Sequence, residues 1–351
     1  MQDTSGGAFF EEDIAATNPQ RTEQVRELER YLRGLRDSTD ALRKIFQPDY
    51  SSERAFIGST RKLRSALAET LGYPPPGKTD NVAPVFQRIG DDAIAVYYRI
   101  RIPVLPGVNA VGLYLTPKNV NGKVPLVISQ HGGGGSPEVA LFHGGANYHD
   151  MVRGAASNGY AVLALQHLFA ADGYPGDIRQ RMDSRARLAG TTITGIEIAK
   201  ITRSLDVILQ RPEIDRKRVA MVGLSYGGYY TLYTTALEPR IKVAVASCEF
   251  GDSLEMWEKT EPYGWGDGRF MNLLTLFRSP EIAALICPRP LEIQMGERDD
   301  LIPIAPGREA AKRTTEYYRK LGIPDRFRFV AFSGGHEWHG QTAWEFLKRH
   351  L

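Results

Sequence analysis

The chain has 351 residues, 42% of them hydrophobic and 24% charged, and carries a formal net charge of +3 at pH 7. So small a charge on so long a chain argues against nucleic acid or an anionic membrane surface as partner, and two cysteines, Cys248 and Cys287, imply no disulfide framework. The seven histidines show no H-E-x-x-H and the cysteines no C-x-x-C spacing, so no metal or other cofactor is expected, and no run is long and apolar enough to span a membrane.

Met1-Gln2-Asp3 opens the chain without the basic and hydrophobic regions of a signal peptide, which leaves open a cytoplasmic protein or an exported one in mature form. Up to about Ala16 the chain reads as a loose tail. Arg21 to Phe46 interleaves charged and apolar residues at helical spacing, a second helix is expected over Ser52 to Leu71, and Gly72-Tyr73-Pro74-Pro75-Pro76-Gly77 ends it as a stiff connector. Residues 1–80 are therefore expected to form a tail and helical extension, and 81–351 the main domain. Ile94, Val96, Tyr98 and Ile100 alternate, and Val111 to Leu115 follows a Pro106-Gly107 turn, which predicts an antiparallel start to a sheet. Beyond Lys123 strand and helix patterns alternate, the signature of an α/β fold with a doubly wound, mostly parallel sheet and helices on both faces.

Val124 to Ser129 suits a buried parallel strand and leads into His131-Gly132-Gly133-Gly134-Gly135. Consecutive glycines let backbone N–H groups approach a ligand oxygen closely, as stabilising a developing oxyanion requires, and His131 is read as a brace for that loop through backbone hydrogen bonds. Tyr160 to Leu165 is another buried strand. After it an insert near 168–188 holds Arg179, Arg181, Arg185 and Arg187, read as a solvated face, and Ile193 to Leu209 is a helix. Val219 to Val222 then predicts a strand, followed by Gly223-Leu224-Ser225-Tyr226-Gly227 and a helix-compatible stretch to Ala236. A serine at the apex of a sharp strand-to-helix turn stands clear of its own backbone, where a base can take its proton, and this pattern is the nucleophile elbow.

Cys248 follows the apolar run Val243 to Ala246 and reads as a buried small hydrophobe, with Glu249 directly after it. A second insert near 249–286 contains Trp257, Tyr263, Trp265 and Phe270, whose aromatic faces either stack on a sugar or aryl group or pack the insert against the sheet. Pro290 to Met295 predicts a strand whose carboxyl end carries Gly296-Glu297-Arg298-Asp299-Asp300, with Asp299 the better acid of the pair. Phe327 to Phe332 predicts the last strand. It runs into Ser333-Gly334-Gly335-His336, where His336 is preferred over His339 as the base, and Trp338 is tethered close enough to line the same site.

With the His-Gly-Gly loop at His131, the segment Arg211 to Arg218, the elbow, the Gly-Glu-Arg-Asp turn and the Gly-Gly-His at His336, the chain from about Ala83 onward resembles the α/β-hydrolase superfamily. Within it the resemblance is to the branch of acetyl xylan esterase-like and dienelactone hydrolase-like proteins, related to prolyl oligopeptidase-type catalytic domains. The resemblance implies Ser225 as nucleophile, His336 as general base and Asp299 as the acid that orients it, with oxyanion donors from the N–H of Tyr226 and of Gly132 or Gly133. Some hydrolases of this fold draw the acid from the position of Glu249, which is otherwise a substrate-pocket residue. The activity expected is a serine esterase acting on a small-molecule or carbohydrate ester, with Glu249, Trp257, Trp265 and Trp338 as substrate contacts. A prolyl oligopeptidase-type peptidase is disfavoured because no repeat precedes Ala83, and an inactive binding protein of the fold because no triad member is lost. Oligomeric state is left open.

Overall fold

The computed structural model describes residues 13–142, 147–169, 171–251 and 270–351. In chain order the elements are helices α1 (Asn18–Asp37), α2 (Asp40–Ile45), α3 (Glu53–Ser59) and α4 (Arg61–Thr70), then strands β1 (Val85–Asp91), β2 (Ala95–Leu105), β3 (Val108–Pro117) and β4 (Val124–Gln130). Helices α5 (Pro137–Phe142) and α6 (Met151–Ser157), strand β5 (Ala161–Leu165), helices α7 (Ile178–Leu188) and α8 (Ile193–Ile208), strand β6 (Ile214–Leu224), helix α9 (Tyr226–Leu237) and strand β7 (Val243–Ser247) follow. The chain closes with helices α10 (Leu273–Leu276) and α11 (Ser279–Ile286), strand β8 (Leu291–Gly296), helix α12 (Ile304–Lys320), strand β9 (Phe327–Phe332) and helix α13 (Gly340–His350).

The nine strands form one sheet in the order β1-β2-β3-β5-β4-β6-β7-β8-β9, antiparallel from β1 through β3 to β5 and parallel from β5 to β9. Every residue of β4, β5, β7 and β8 is buried, which is why those segments read as unbroken apolar runs. One face is covered by α4, α8, α9, α11 and α12 through Leu67, Leu205, Leu232, Leu285 and Tyr318, the other by α5, α6 and α13 through Leu141, Met151 and Phe346. The expected doubly wound sheet is confirmed.

Three differences from the sequence reading have simple causes. Strand β1 escaped notice because it is an edge strand with little burial and hence no alternation. The helix expected over Arg21 to Phe46 is two helices, α1 and α2, broken at Ser38 in an extended conformation. The second expected helix divides at Thr60 into α3 and α4, and these, with Leu71 just past α4, bury Phe56, Leu63, Leu67 and Leu71 completely in the same core as α8 and α9. Arg64 adds hydrogen bonds from Nε to the Ala236 carbonyl and from Nη2 to the Leu285 carbonyl, both 3.0 Å.

Candidate active site

Strand β6 delivers Ser225 at the centre of the sheet. Ser225 has φ +59° and ψ −123°, a conformation that costs a non-glycine residue energy and persists only where the surroundings enforce it. The enforcement is close packing: a Cβ on Gly227 would sit 2.0 Å from the Gln130 carbonyl oxygen, and one on Gly223 would sit 2.2 Å from that of Gly227. The elbow glycines are thus required by backbone proximity, and the Ser225 N–H is tied to the Ser247 carbonyl at the end of β7 by 2.8 Å. Ser225 is 5% exposed and its hydroxyl makes no hydrogen bond among the described residues. Such bonds tighten when substrate arrives.

Asp299 and His336 are brought together. Asp299 Oδ2 meets His336 Nδ1 at 2.8 Å, while Oδ1 accepts the N–H groups of Leu301 and Ile302, both at 2.9 Å. Burial opposes ionisation of Asp299, yet the hydrogen bonds from His336, Ile302 and Leu301 outweigh it and hold the carboxyl below its ordinary value. Asp300 beside it is exposed. The loop of His336 is bound to the elbow through one residue, since Ser247 accepts the Ser225 N–H and donates its hydroxyl to the Glu337 carbonyl at 3.2 Å. His339 lies apart, its ring stacked on Phe332 at 4.9 Å as the last helix begins.

Behind His336 sits Cys248, at φ +52°, and its sulfur lies within 4.8 Å of the ligand atoms of Asp299 and His336. Burial pushes its thiol up to about 12, so it is protonated at neutral pH, and it faces the Gly335 and Glu337 carbonyls. Glu249 lies against the start of α9: a Cβ on Gly228 would lie 3.0 Å from the Glu249 Cβ. Its charge reaches Tyr233, whose hydroxyl burial and then Glu249 push upward.

The loop at His131 arches over Ser225, and a Cβ on Gly132 would stand 3.0 Å from the serine Cβ. The Gly132 N–H donates to the Tyr148 hydroxyl at 2.8 Å, whereas no hydrogen bond among the described residues occupies the Gly133 N–H. His131 and His167 stack at 3.8 Å, and burial holds His131 down to about 4 and His167 well below its ordinary value, so both are neutral. Their bonds then define tautomers: His131 donates from Nδ1 to the Gly132 carbonyl at 2.9 Å, and His167 donates from Nε2 to the His131 carbonyl at 2.6 Å. Carbonyl and N–H point oppositely across a trans peptide, so anchoring the Gly132 carbonyl also orients the Gly133 N–H.

Other predicted residues are placed differently. Trp338 is 2% exposed, packed against Trp344 at 5.6 Å in the second core, so its ring serves packing. Phe270 is buried against Tyr233 and Phe277 at 5.7 and 5.8 Å, which settles it as packing the insert. Trp257, Tyr263 and Trp265 lie outside the described residues. Arg179 is a correction: it is 1% exposed, its guanidinium 5.0 Å from the Tyr226 ring centre and bonded to the Leu168 carbonyl and Tyr230 hydroxyl. Tyr148, His167 and Phe169, whose ring stands edge-on to Tyr226 at 5.5 Å, also escaped the sequence reading. No motif marks them, because their roles come from contacts made across the fold. No helix among the described residues is long and apolar enough to cross a membrane.

A model of the acetyl xylan esterase (AXE1) family matches residues 85–264. The chain is 29% identical over 240 residues to the Bacillus subtilis (strain 168) protein YtaP, which covers 65% of this chain and 78% of that one. It is 30% identical over 208 residues to the α/β hydrolase psoB of Aspergillus fumigatus, covering 56% of this chain and 43% of that longer one. Among solved structures, the methylesterase BT1017 superposes with a TM-score of 0.70 at 17% identity, over 90% of this chain and 68% of that one. The glucuronoyl esterase from Solibacter usitatus does so with a TM-score of 0.62 at 13% identity, over 87% and 96%. At such identities the two structures speak to the fold alone.

Proposed function

The chain belongs to the acetyl xylan esterase family of the α/β-hydrolase superfamily and is an ester-cleaving hydrolase, and from that premise we propose a serine mechanism acting on small acyl groups. Ser225 Oγ attacks the ester carbonyl while His336 Nε2 takes its proton, and Asp299 holds Nδ1–H and stabilises the imidazolium that forms. The N–H groups of Tyr226 and Gly133 receive the oxyanion. Tyr226 opens α9, where the helix dipole adds positive potential. His336 returns the proton to the leaving alcohol, and water then releases the acid from the acyl-serine by the same steps. A small acyl group, acetyl in the first instance, on a carbohydrate or similar alcohol is the substrate this reading favours, on the strength of the family description.

The observation that carries the proposal is the Asp299–His336 contact at 2.8 Å on a loop tied through Ser247 to a conformationally strained Ser225. Cys248 is a poor rival nucleophile because its thiol is buried and protonated. Ser225→Ala is expected to abolish hydrolysis of an aryl acetate and of acetylated xylo-oligosaccharides while the fold stays intact by circular dichroism. In a well-studied serine protease the corresponding loss is on the order of a million-fold. If Ser225→Ala keeps more than a few per cent of activity while Cys248→Ala loses it, the serine mechanism is wrong.

A further inference from the structure

We propose that a cleft beside the oxyanion loop binds a carboxylate-bearing saccharide chain, the alcohol part of the ester whose acyl group meets Ser225. This inference rests on the esterase reading above. A row of paired residues runs across the sheet from the nucleophile to the cleft: Gly223 of β6 is level with Gln130 of β4, Gln130 with Leu165 of β5, Leu165 with Gly112 of β3, and Gly112 with Ile100 of β2. At about 4.8 Å per strand, Gly112 and Ile100 lie roughly 14 and 19 Å from the strand that carries Ser225. Both line a cleft of about 590 Å³, together with Arg99, Arg101, Glu138 and Gln166. The cleft therefore opens along the edge of the sheet that holds the nucleophile, at a distance an extended chain of a few sugars spans. Two of its lining residues adjoin the site in the chain, since Gln166 precedes His167 and Glu138 closely follows the glycine loop.

The chemistry of the lining selects the ligand. Arg99 is paired with Glu138 at 3.0 Å, whereas the exposed guanidinium of Arg101 has no hydrogen bond or ion pair among the described residues. The lining thus holds two guanidinium groups and one carboxylate, and the two arginines stand on the same side of β2, two residues apart. A guanidinium presents a planar fork of donors that a carboxylate meets bidentately, which makes a uronate unit the complementary group on a sugar chain. Gln87, opposite Arg99 on β1, adds an amide that can bond to hydroxyls.

Binding tests this without turnover. The full chain is titrated calorimetrically with an oligogalacturonate and with a xylo-oligosaccharide of equal length, neither of them an ester. The acidic chain is expected to bind about tenfold or more tightly, the size of one charge-assisted hydrogen bond, with the gap shrinking as salt is added. Arg101→Ala should close the gap, and Glu138→Gln, which frees Arg99, should widen it. A merely structural role would weaken binding in both variants. The ratio of kcat/KM for acetylated acidic over acetylated neutral oligosaccharide should move in the same directions. Equal binding of the two chains by the wild type, or a gap that Arg101→Ala leaves unchanged, overturns the proposal. If the wild type binds the acidic chain but cleaves no ester, aryl acetate included, the esterase reading falls and takes with it the assignment of the bound chain as substrate.

Discussion

Three residues around the candidate site are told apart by what they touch. Asp299 reaches His336 directly, while Glu249, also at the carboxyl end of a strand, lies against α9 and acts on Tyr233. Asp299→Asn is therefore expected to lower turnover by orders of magnitude, since an amide there favours the wrong imidazole tautomer and costs about ten-thousand-fold in the protease template. Glu249→Gln should chiefly alter KM or the preference among esters. Steady-state kinetics of both variants on one ester separates the two cases, and a severe turnover loss confined to Glu249→Gln would move the acid to the earlier strand. Tyr148 is the third. By taking the Gly132 N–H it leaves the Gly133 N–H without a hydrogen bond among the described residues, a distinction two neighbouring glycines in a sequence do not reveal.

At the scale of elements, the elbow shows how packing can demand glycine where the backbone angle does not. A methyl group on Gly227 would collide with backbone atoms of Gln130 and His131, which cannot rotate away. Gly227→Ala should destabilise the protein by ~1–3 kcal/mol or more, the range for overpacking a filled interior. Gly34 offers the control. It sits inside α1, with nothing within 4 Å of its Cβ position, so Gly34→Ala should stabilise by ~0.5–1 kcal/mol through helix propensity. Urea midpoints for the pair read both signs, and a neutral Gly227→Ala would mean that β4 and α9 are less closely packed than described. Helices α3 and α4 belong to the same energetic account as the sheet, for each of the buried Phe56, Leu63 and Leu67 contributes ~1.5–3 kcal/mol of burial.

For the whole molecule, the buried neutral histidines set the response to acid. His131 is held down to about 4 in the folded chain, and an unfolded histidine titrates near 6.5, so between those values the unfolded state binds the extra proton. Stability must then rise with pH through that window and fall as the pH drops from about 6.5 towards 4, by ~3 kcal/mol from His131 alone. His167, lowered further, adds in the same direction. Asp299 acts lower down: its folded value lies below the unfolded one near 3.9, so its contribution is complete above that and is lost as pH falls through the folded value. Denaturant midpoints at pH 7.5, 6 and 5 check the histidine term. Constant stability across them would show that the pair is hydrated or charged in solution.

The sequence by itself determined the features that local chemistry can spell. A serine between glycines after a buried strand, four glycines after another, and a Gly-Gly-His after the last each have a short-range signature, and their order along the chain implied an α/β sheet that the structure confirms. The burial of β4, β5, β7 and β8 was equally legible, because apolar runs of strand length carry it. Only the tertiary structure decided which acid meets His336, which glycine N–H is taken, and that Arg179 is buried while Arg181, Arg185 and Arg187 on the same helix are not. These depend on residues far apart in the chain meeting across the sheet, as Asp299 with His336, Gly132 with Tyr148 and Arg179 with Tyr230 do. Long-range contact of this kind leaves no local periodicity, and so its outcome appears only when the strands are laid side by side.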